Sequence, residues 1–234
     1  MAMVSCSDTV LVPLSLFVMV GYHAYLWHSI KTKPSTTTIG ADALKRKSWF
    51  TALHSGDDKK GMLAVQSLRN TLMVTILTAT IAALVTVALA ALTNNAFIAR
   101  GLFTSPFFGS TSSKTVVLKY GSASVFLAAS FLCSSLGLGF LVDANYLVNA
   151  CLPGSSVPNC SGNGRRPYAQ AVFERGFLMA LFGNRLLCLA FPVLTWMFGP
   201  VPLALSSGAL VWVLYELDFT GSRPPTVSTR RSLI

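Results

Sequence analysis

Residues 177–217 read FLMALFGNRLLCLAFPVLTWMFGPVPLALSSGALVWVLYEL, a long apolar run with Phe198-Gly199-Pro200 at its midpoint. Gly followed by Pro is a strong turn signal, so the run predicts two membrane helices joined as a hairpin. The first arm is short, because Arg185 to Phe198 makes about 21 Å of helix at 1.5 Å per residue. A re-entrant hairpin therefore stays open beside two full crossings. Both versions return the chain to the side from which it entered.

Three further apolar runs precede the hairpin, and each reaches the roughly 18 uncharged residues that cross about 30 Å of hydrocarbon. The composition agrees, with 53% hydrophobic and 11% charged residues, whereas a soluble chain carries roughly a quarter charged residues. We therefore predict an all-α, multi-pass transmembrane helical bundle with four to five membrane segments and a C-terminal helical hairpin. The segments are expected at about 9–30, 71–93, 120–142, 177–198 and 201–217.

These segments form a single predicted domain over residues 1–219, with a basic connector at 31–70 and a disordered cytoplasmic tail at 220–234. Fourteen of the 18 Lys and Arg residues lie in the connector, between residues 143 and 176 or in the tail, and three lie between the second and third segments. By the positive-inside rule the connector and the tail are cytoplasmic, and the N-terminus is outside or lumenal. Plasma membrane and endomembrane both stay open. No nucleic-acid-binding motif accompanies the net charge of +10, so we expect no nucleic acid partner.

A short polar stretch opposes this orientation. Asn159-Cys160-Ser161 is a glycosylation sequon, and Cys151 could form a disulfide with Cys160 in an oxidising lumen. Sequons often arise by chance, whereas the charge bias rests on many residues, so we keep the charge-based topology. Glycan attachment at Asn159 would overturn it.

The basic connector predicts an interfacial helix. Asp42 can cap a helix in which Trp49 faces the acyl boundary while Lys45, Arg46 and Lys47 lie at headgroup level. Recognition of anionic lipid is one interpretation of this pattern. Ordinary topological charge is the other, and it is favoured because positive-inside loops share this composition.

Arg185 is the most informative polar residue within the apolar runs. A guanidinium at membrane depth is costly, and it usually pairs with an acid or faces an aqueous cavity. Folding the hairpin at Gly199-Pro200 places Arg185 within about one turn of Glu216 and only slightly further from Asp218. We predict an ion pair with one of these carboxylates, with Asn184 adding hydrogen bonds.

A wider polar cluster is predicted around this pair, at the inner mouth of the bundle. Its further members are charged residues near the ends of the third and fourth segments: Asp143, Glu174 and Arg175. As function, the cluster would be an ion or proton relay or a headgroup site. As structure, it would pin the hairpin to the bundle. The structural interpretation leads, because a buried ion pair needs no ligand.

Residue patterns typical of catalysis are missing from the sequence. It has no GxSxG, HExxH or Walker motif. His23 and His28 would point about 140° apart on a helix, so they cannot share one metal ion. We therefore expect no catalytic residue, no metal and no cofactor.

Several short motifs, in this order along the chain, resemble a known family. They are Tyr22-His23-Ala24-Tyr25-Leu26-Trp27, Thr37-Thr38-Ile39-Gly40, Val65-Gln66-Ser67-Leu68-Arg69-Asn70, Asp143-Ala144-Asn145-Tyr146, Arg175-Gly176, Gly183-Asn184-Arg185, Phe198-Gly199-Pro200 and Tyr215-Glu216-Leu217-Asp218-Phe219. Over nearly the whole chain they resemble the plant membrane proteins grouped as domain of unknown function 599. The resemblance implies a small multi-pass helical protein with no assigned activity or cofactor. That family commonly has Asn in place of Glu216, which shifts the expected partner of Arg185 to Asp218.

Three functions are compatible with these features. The first is a non-enzymatic accessory or signalling component that acts through an unknown protein partner and through the bilayer, anionic lipids included. The second is a small ion or solute channel or transporter with Asn184 and Arg185 on its polar path, which needs a continuous cavity or a homo-oligomeric pore. The third is a lipid- or redox-active membrane enzyme, which needs a bound cofactor or a second cluster that no pattern in the sequence indicates. The first is favoured.

Overall fold

The computed structural model describes residues 2–53, 58–98, 113–150 and 165–219. These residues form six α-helices: α1 (Ala2–Thr32), α2 (Thr38–Leu53), α3 (Asp58–Ile98), α4 (Ser113–Ala150), α5 (Arg165–Thr195) and α6 (Pro200–Phe219). Short 3₁₀ turns at Pro34–Thr36 and Trp196–Phe198 precede α2 and α6. This part of the chain has no strand, and the predicted all-α class is confirmed.

Five of the described helices are long and apolar enough to cross a membrane. The candidate spans are Val10–Thr32, Met62–Asn95, Val117–Val148, Tyr168–Phe198 and Pro200–Phe219. Each predicted segment overlaps one of them, although the second and fourth spans start nine residues before the predicted segments. The chain is a multi-pass membrane protein. The tail after residue 219, the sequon at Asn159 and the pair Cys151 and Cys160 lie outside the described residues.

The predicted hairpin forms at Gly199, between α5 and α6. Gly199 has a φ of 131°, which L side chains rarely adopt, and its N–H donates to the carbonyl of Trp196 at 3.0 Å. Pro200 then starts α6, where its fixed φ suits the first helical position. Both arms are long enough to span a membrane, which favours two crossings over a re-entrant loop.

The helices neighbour one another in the order α3, α4, α5, α6 and α1. The most extensive packing between two helices lies between α4 and α5. Ser130 on α4 donates its hydroxyl to the carbonyl of Gly183 on α5 at 2.7 Å, and a Cβ on Gly183 would fall on the Ser134 side chain. Small residues let two membrane helices approach in this way.

One end of the bundle holds a buried core that joins four helices. Phe50 of α2, Leu68 of α3, Leu141 of α4 and Phe173 of α5 belong to it. At the same end, Thr38 at the start of α2 hydrogen-bonds the last turn of α6. We call this the basic end, because the connector, the start of α5 and the end of α6 meet there, as the charge bias predicts. Which side of the membrane it faces stays a prediction.

The start of α2 differs from its predicted position. Thr37 is the N-cap, because its hydroxyl accepts the N–H of Gly40 at 3.2 Å. The predicted cap, Asp42, lies inside the helix and pairs instead with Lys45 at 3.3 Å on the surface. Lys45 and Lys47 are exposed.

The aromatic side of α2 packs on protein. Trp49 and Phe50 lie against Phe173, with ring centroids 5.9 and 5.5 Å apart, and the Arg46 guanidinium lies 4.7 Å from the centroid of the Phe177 ring. The later residues of α2 contact the earlier residue of α5, and the earlier residue of α2 contacts the later one. The helix α2 therefore runs antiparallel to the first half of α5. Trp49 and Arg46 thus each contact α5, where aromatic side chains offer them partners. Their predicted contact with lipid stays a prediction.

Candidate functional site

Asp218, next to the last residue of α6, is the centre of a polar cluster inside the bundle. Its side chain is 3% exposed. Arg185 of α5 donates from Nη2 to the Asp218 Oδ1, and the Tyr22 hydroxyl of α1 donates to Oδ2 at 2.5 Å. One carboxylate thus joins three membrane helices. We call Tyr22, Arg185 and Asp218 the Asp218 cluster.

The register of the hairpin brings Arg185 and Asp218 together. Counted from Gly199, Arg185 lies about 21 Å back along α5 and Asp218 about 29 Å forward along α6, at 1.5 Å per residue. Side chains on a helix point toward its N-terminus, which for α5 means toward the basic end. The long Arg185 side chain therefore covers the remaining offset.

Thr38 adds a fourth element to this region. Its hydroxyl lies 2.9 Å from the carbonyl oxygen of Leu217 and 3.2 Å from that of Asp218. The last carbonyls of a helix lack partners within the helix, and in a bilayer water is scarce. Gly40 permits the tight turn before this contact, because a Cβ there would lie 2.8 Å from the Cα of Pro34. The N-terminus of α2 is thereby held against the C-terminus of α6.

The two charges of the cluster neutralise each other. The side chain of Arg185 is 15% exposed and that of Asp218 is 3% exposed, so water screens the pair little. Removing one partner of such a pair costs about 3–5 kcal/mol, because the other charge is left buried and uncompensated. Within the described ranges, Arg185 Nη1 is buried and has no hydrogen-bond partner.

Of the residues predicted for the polar cluster, the structure brings together Arg185 and Asp218. The predicted ion pair is present, with Asp218 as its acid. Glu216 lies about 200° around α6 from Asp218 and is half-buried on a different side. Asn184 is exposed, and the described residues show no hydrogen bond from it to either charge.

Three other predicted members lie away from the pair. Asp143, Glu174 and Arg175 are exposed. Glu174 accepts a hydrogen bond from Gln170 at 2.9 Å and lies about 16 Å along α5 from Arg185, at 1.5 Å per residue. The wider cluster at the inner mouth is therefore corrected to a compact one that includes Tyr22.

Sequence reasoning missed Tyr22 and Thr38. Tyr22 lies 196 residues from Asp218 and Thr38 lies 180 residues from it, and no local pattern indicates such contacts. One signal was available for Tyr22, which lies within the first apolar run. A tyrosine hydroxyl that is buried needs a hydrogen-bond partner.

Hydroxyl groups along the spans are mostly satisfied within their own helices. On α3, six threonines donate to the carbonyl four residues earlier: Thr71, Thr75, Thr78, Thr80, Thr86 and Thr93. Ser15 of α1 does the same. Because these hydroxyls bond carbonyls of their own helix, their presence does not indicate that the helix lines a polar path.

The family model described as "Protein of unknown function, DUF599" matches residues 10–223, a range that includes the whole Asp218 cluster. The chain belongs to this family. No curated protein and no solved structure matches the chain. The DUF599 description gives no activity, so the function has to be argued from the site, and the plant origin that the resemblance implies stays a prediction.

Proposed function

We propose that the protein is a non-enzymatic membrane component that acts through interactions with a protein partner and with lipid, and that the Asp218 cluster is its structural lock. The observation that carries this proposal is the mutual neutralisation of Arg185 and Asp218. Two buried charges that neutralise each other can hold helices together without a ligand.

The connections of the cluster support a structural role. Tyr22 lies on the first span, Arg185 on the fourth and Asp218 on the fifth. Thr38 holds the connector to the same end of α6. The cluster fixes α1 to the α5–α6 hairpin and Thr38 fixes α2 to it, which gives the basic end a defined shape for a partner.

A channel or transporter is less well supported by the same geometry. Conduction needs polar groups that face a continuous aqueous path. The threonines of α3 instead donate to their own helix, as Thr78 does to the carbonyl of Val74 at 3.0 Å. Arg185, the one cation predicted on such a path, is paired.

The two roles are separated by comparing single and double variants. Arg185→Leu leaves Asp218 buried and unpaired, and we expect a loss of about 3–5 kcal/mol in stability. Arg185→Leu with Asp218→Leu replaces the pair by apolar side chains, which is often neutral or stabilising, so we expect its stability to recover. Arg175→Leu, an exposed arginine on the same helix, is the control for the loss of one charge.

The measurements are thermal unfolding in mild detergent and ion and solute flux in proteoliposomes. If the double variant regains the stability of the wild-type protein and the wild-type protein shows no flux, the structural role of the cluster is supported. A folded double variant that has lost a flux shown by the wild-type protein would overturn it.

Native mass spectrometry of the purified protein tests the non-enzymatic part of the proposal. We expect the mass of the polypeptide, about 25.0 kDa, alone or with added lipid or further copies of the chain. A defined non-lipid cofactor that survives purification would contradict the proposal.

A further inference from the structure

Two buried polar atoms beside the Asp218 cluster have no hydrogen-bond partner among the described residues. They are Nη1 of Arg185 on α5 and Nε2 of His23 on α1. Both residues lie within candidate membrane spans, where bulk water is scarce and an unsatisfied polar atom is costly. Most such atoms in native structures bond to protein or to ordered water. The question is therefore whether one group can serve both atoms.

The contact between Trp27 and Phe182 places the two residues at one level of the bundle. Their ring centroids are 6.5 Å apart. The helix α1 runs toward the basic end, because it leads into the connector, and α5 runs away from that end. His23 lies four residues before Trp27, about 6 Å further from the basic end at 1.5 Å per residue. Arg185 lies three residues after Phe182, about 4.5 Å further from that end.

Helical periodicity turns the two residues toward each other. Residues three or four apart share one side of a helix. His23 is therefore on the side of α1 that carries Trp27, and Arg185 is on the side of α5 that carries Phe182. Since the two aromatic rings meet between these helices, the sides that carry His23 and Arg185 face each other one turn deeper in the bundle.

Tyr22 provides a second, independent link between the two residues. Its ring centroid lies 5.2 Å from that of His23. Its hydroxyl donates to Oδ2 of Asp218, and Oδ1 of the same carboxylate accepts from Arg185. Two residues thus connect His23 to Arg185 through direct contacts, in agreement with the helical register.

The two unpartnered atoms have complementary chemistry. Nδ1 of His23 lies 2.8 Å from the carbonyl oxygen of Met19. A carbonyl oxygen only accepts, so Nδ1 carries the proton, and Nε2 of the neutral imidazole is an acceptor. Nη1 of Arg185 can only donate. No direct hydrogen bond joins the two atoms, so a group that serves both has to accept from one and donate to the other.

We propose that one water molecule is bound between His23 and Arg185, where it accepts from Nη1 and donates to Nε2. Buried water commonly satisfies polar atoms of this kind. A simple anion would accept from Arg185 but has no proton for Nε2, and a metal cation would face the guanidinium with like charge. His23 then acts through the water as a positioning residue that orients Arg185 on Asp218. The proposal deepens the structural role proposed for the Asp218 cluster and rests on it.

The first test is nuclear magnetic resonance of the wild-type chain in bilayers, with its histidines labelled. The chain has three histidines, and the signal that is lost in His23→Gln identifies His23. We expect its Nδ1 to be protonated and its Nε2 bare, with magnetisation transfer from water protons to the C–H protons of its ring. Protonation at Nε2 instead of Nδ1, or no transfer from water to this ring, would overturn the proposal.

The second test is thermal unfolding, with His28→Leu as the matched control. His28 is an exposed histidine on the same helix. His23→Leu leaves the guanidinium without its acceptor and should lower Tm by about 2–12 °C, whereas His28→Leu should change it by less than about 2 °C. Equal shifts for the two variants would overturn the proposal.

The dependence on Arg185 separates the water bridge from simple packing. In the variant with Arg185→Leu and Asp218→Leu no guanidinium remains, so adding His23→Leu should lower Tm by less than half as much as it does in the wild-type protein. The same shift in both backgrounds would mean that His23 contributes by packing alone. Variants that fail to fold leave the decision to the wild-type measurement.

Failure of this proposal and failure of the structural role are distinguishable. A flux that depends on Arg185 and Asp218 would contradict the structural role of the cluster. A His23 ring without water contact, in a protein that shows no flux, would contradict the water site alone and leave the ion pair as it is.

Discussion

Replacing Tyr22 with Phe removes one hydroxyl from the bundle and leaves the ring in place. The hydroxyl donates to Asp218 at 2.5 Å, and the ring packs with Leu26 and Leu214. A hydrogen bond to a charged acceptor contributes about 1.5–3 kcal/mol, and Asp218 keeps Arg185 as its other partner. We therefore expect the free energy of unfolding to fall by about 1.5–3 kcal/mol, or Tm by about 3–12 °C for a chain of this size.

Tyr25→Phe is the matched control for this variant. Tyr25 lies one turn later on α1 and is 53% exposed, and its hydroxyl makes no hydrogen bond within the ranges described. Thermal unfolding of both variants and of the wild-type protein is measured in the same detergent. Equal Tm values for Tyr22→Phe and Tyr25→Phe would refute the reasoning, because the Asp218 carboxylate would then gain nothing from Tyr22.

Two further pairs of substitutions, each a test with its control, examine the packing of the bundle. Gly183→Ala should lower the free energy of unfolding by about 1–3 kcal/mol, since the added Cβ falls on Ser134 of α4. Gly139→Ala meets open space and should be neutral or stabilise by up to about 1 kcal/mol, so the reverse order of melting temperatures would contradict the close approach of α4 and α5. Phe50→Ala should cost about 3–5 kcal/mol, because Phe50 is 3% exposed in the core of the basic end. Leu44→Ala, on the exposed side of α2, should cost less than about 0.5 kcal/mol, and equal losses for the two would show that α2 is not docked.

The hairpin and its ion pair could be predicted because their signals are local. Gly199-Pro200 fixes the point of reversal, and the apolar arms extend regularly on both sides of it. Helical rise then determines which residues of the two arms face each other. Within that register a buried Arg185 needs an acid, and both Glu216 and Asp218 are within reach. The family resemblance favoured Asp218, which is the acid that pairs with Arg185 in the structure.

The placement of α2 could not be predicted in the same way. An amphipathic helix has the same residue pattern whether its apolar face meets lipid or another helix. The contacts of Trp49 with Phe173 and of Arg46 with Phe177 on α5 are visible only in the structure. Apolar periodicity says which side of a helix is buried but not against which neighbour.

The contacts of Tyr22 and Thr38 were missed for a related reason. Each depends on which helices lie side by side, in the order α5, α6 and α1. Hydropathy and charge give the number of crossings and their direction. Many different side-by-side arrangements of the helices share the same number and direction of crossings. The side chains that complete the Asp218 cluster therefore become visible only in three dimensions.

The position of Asp218 near the end of α6 also has a consequence for the synthesis of the chain. Arg185 is made 33 residues before Asp218, and Tyr22 is made 196 residues before it. At about 5–20 residues per second, the carboxylate follows Arg185 after roughly 2–7 s and Tyr22 after roughly 10–40 s. Over that interval a nascent α5 carries a guanidinium whose partner does not yet exist. The Asp218 cluster therefore cannot close until α6 has been made.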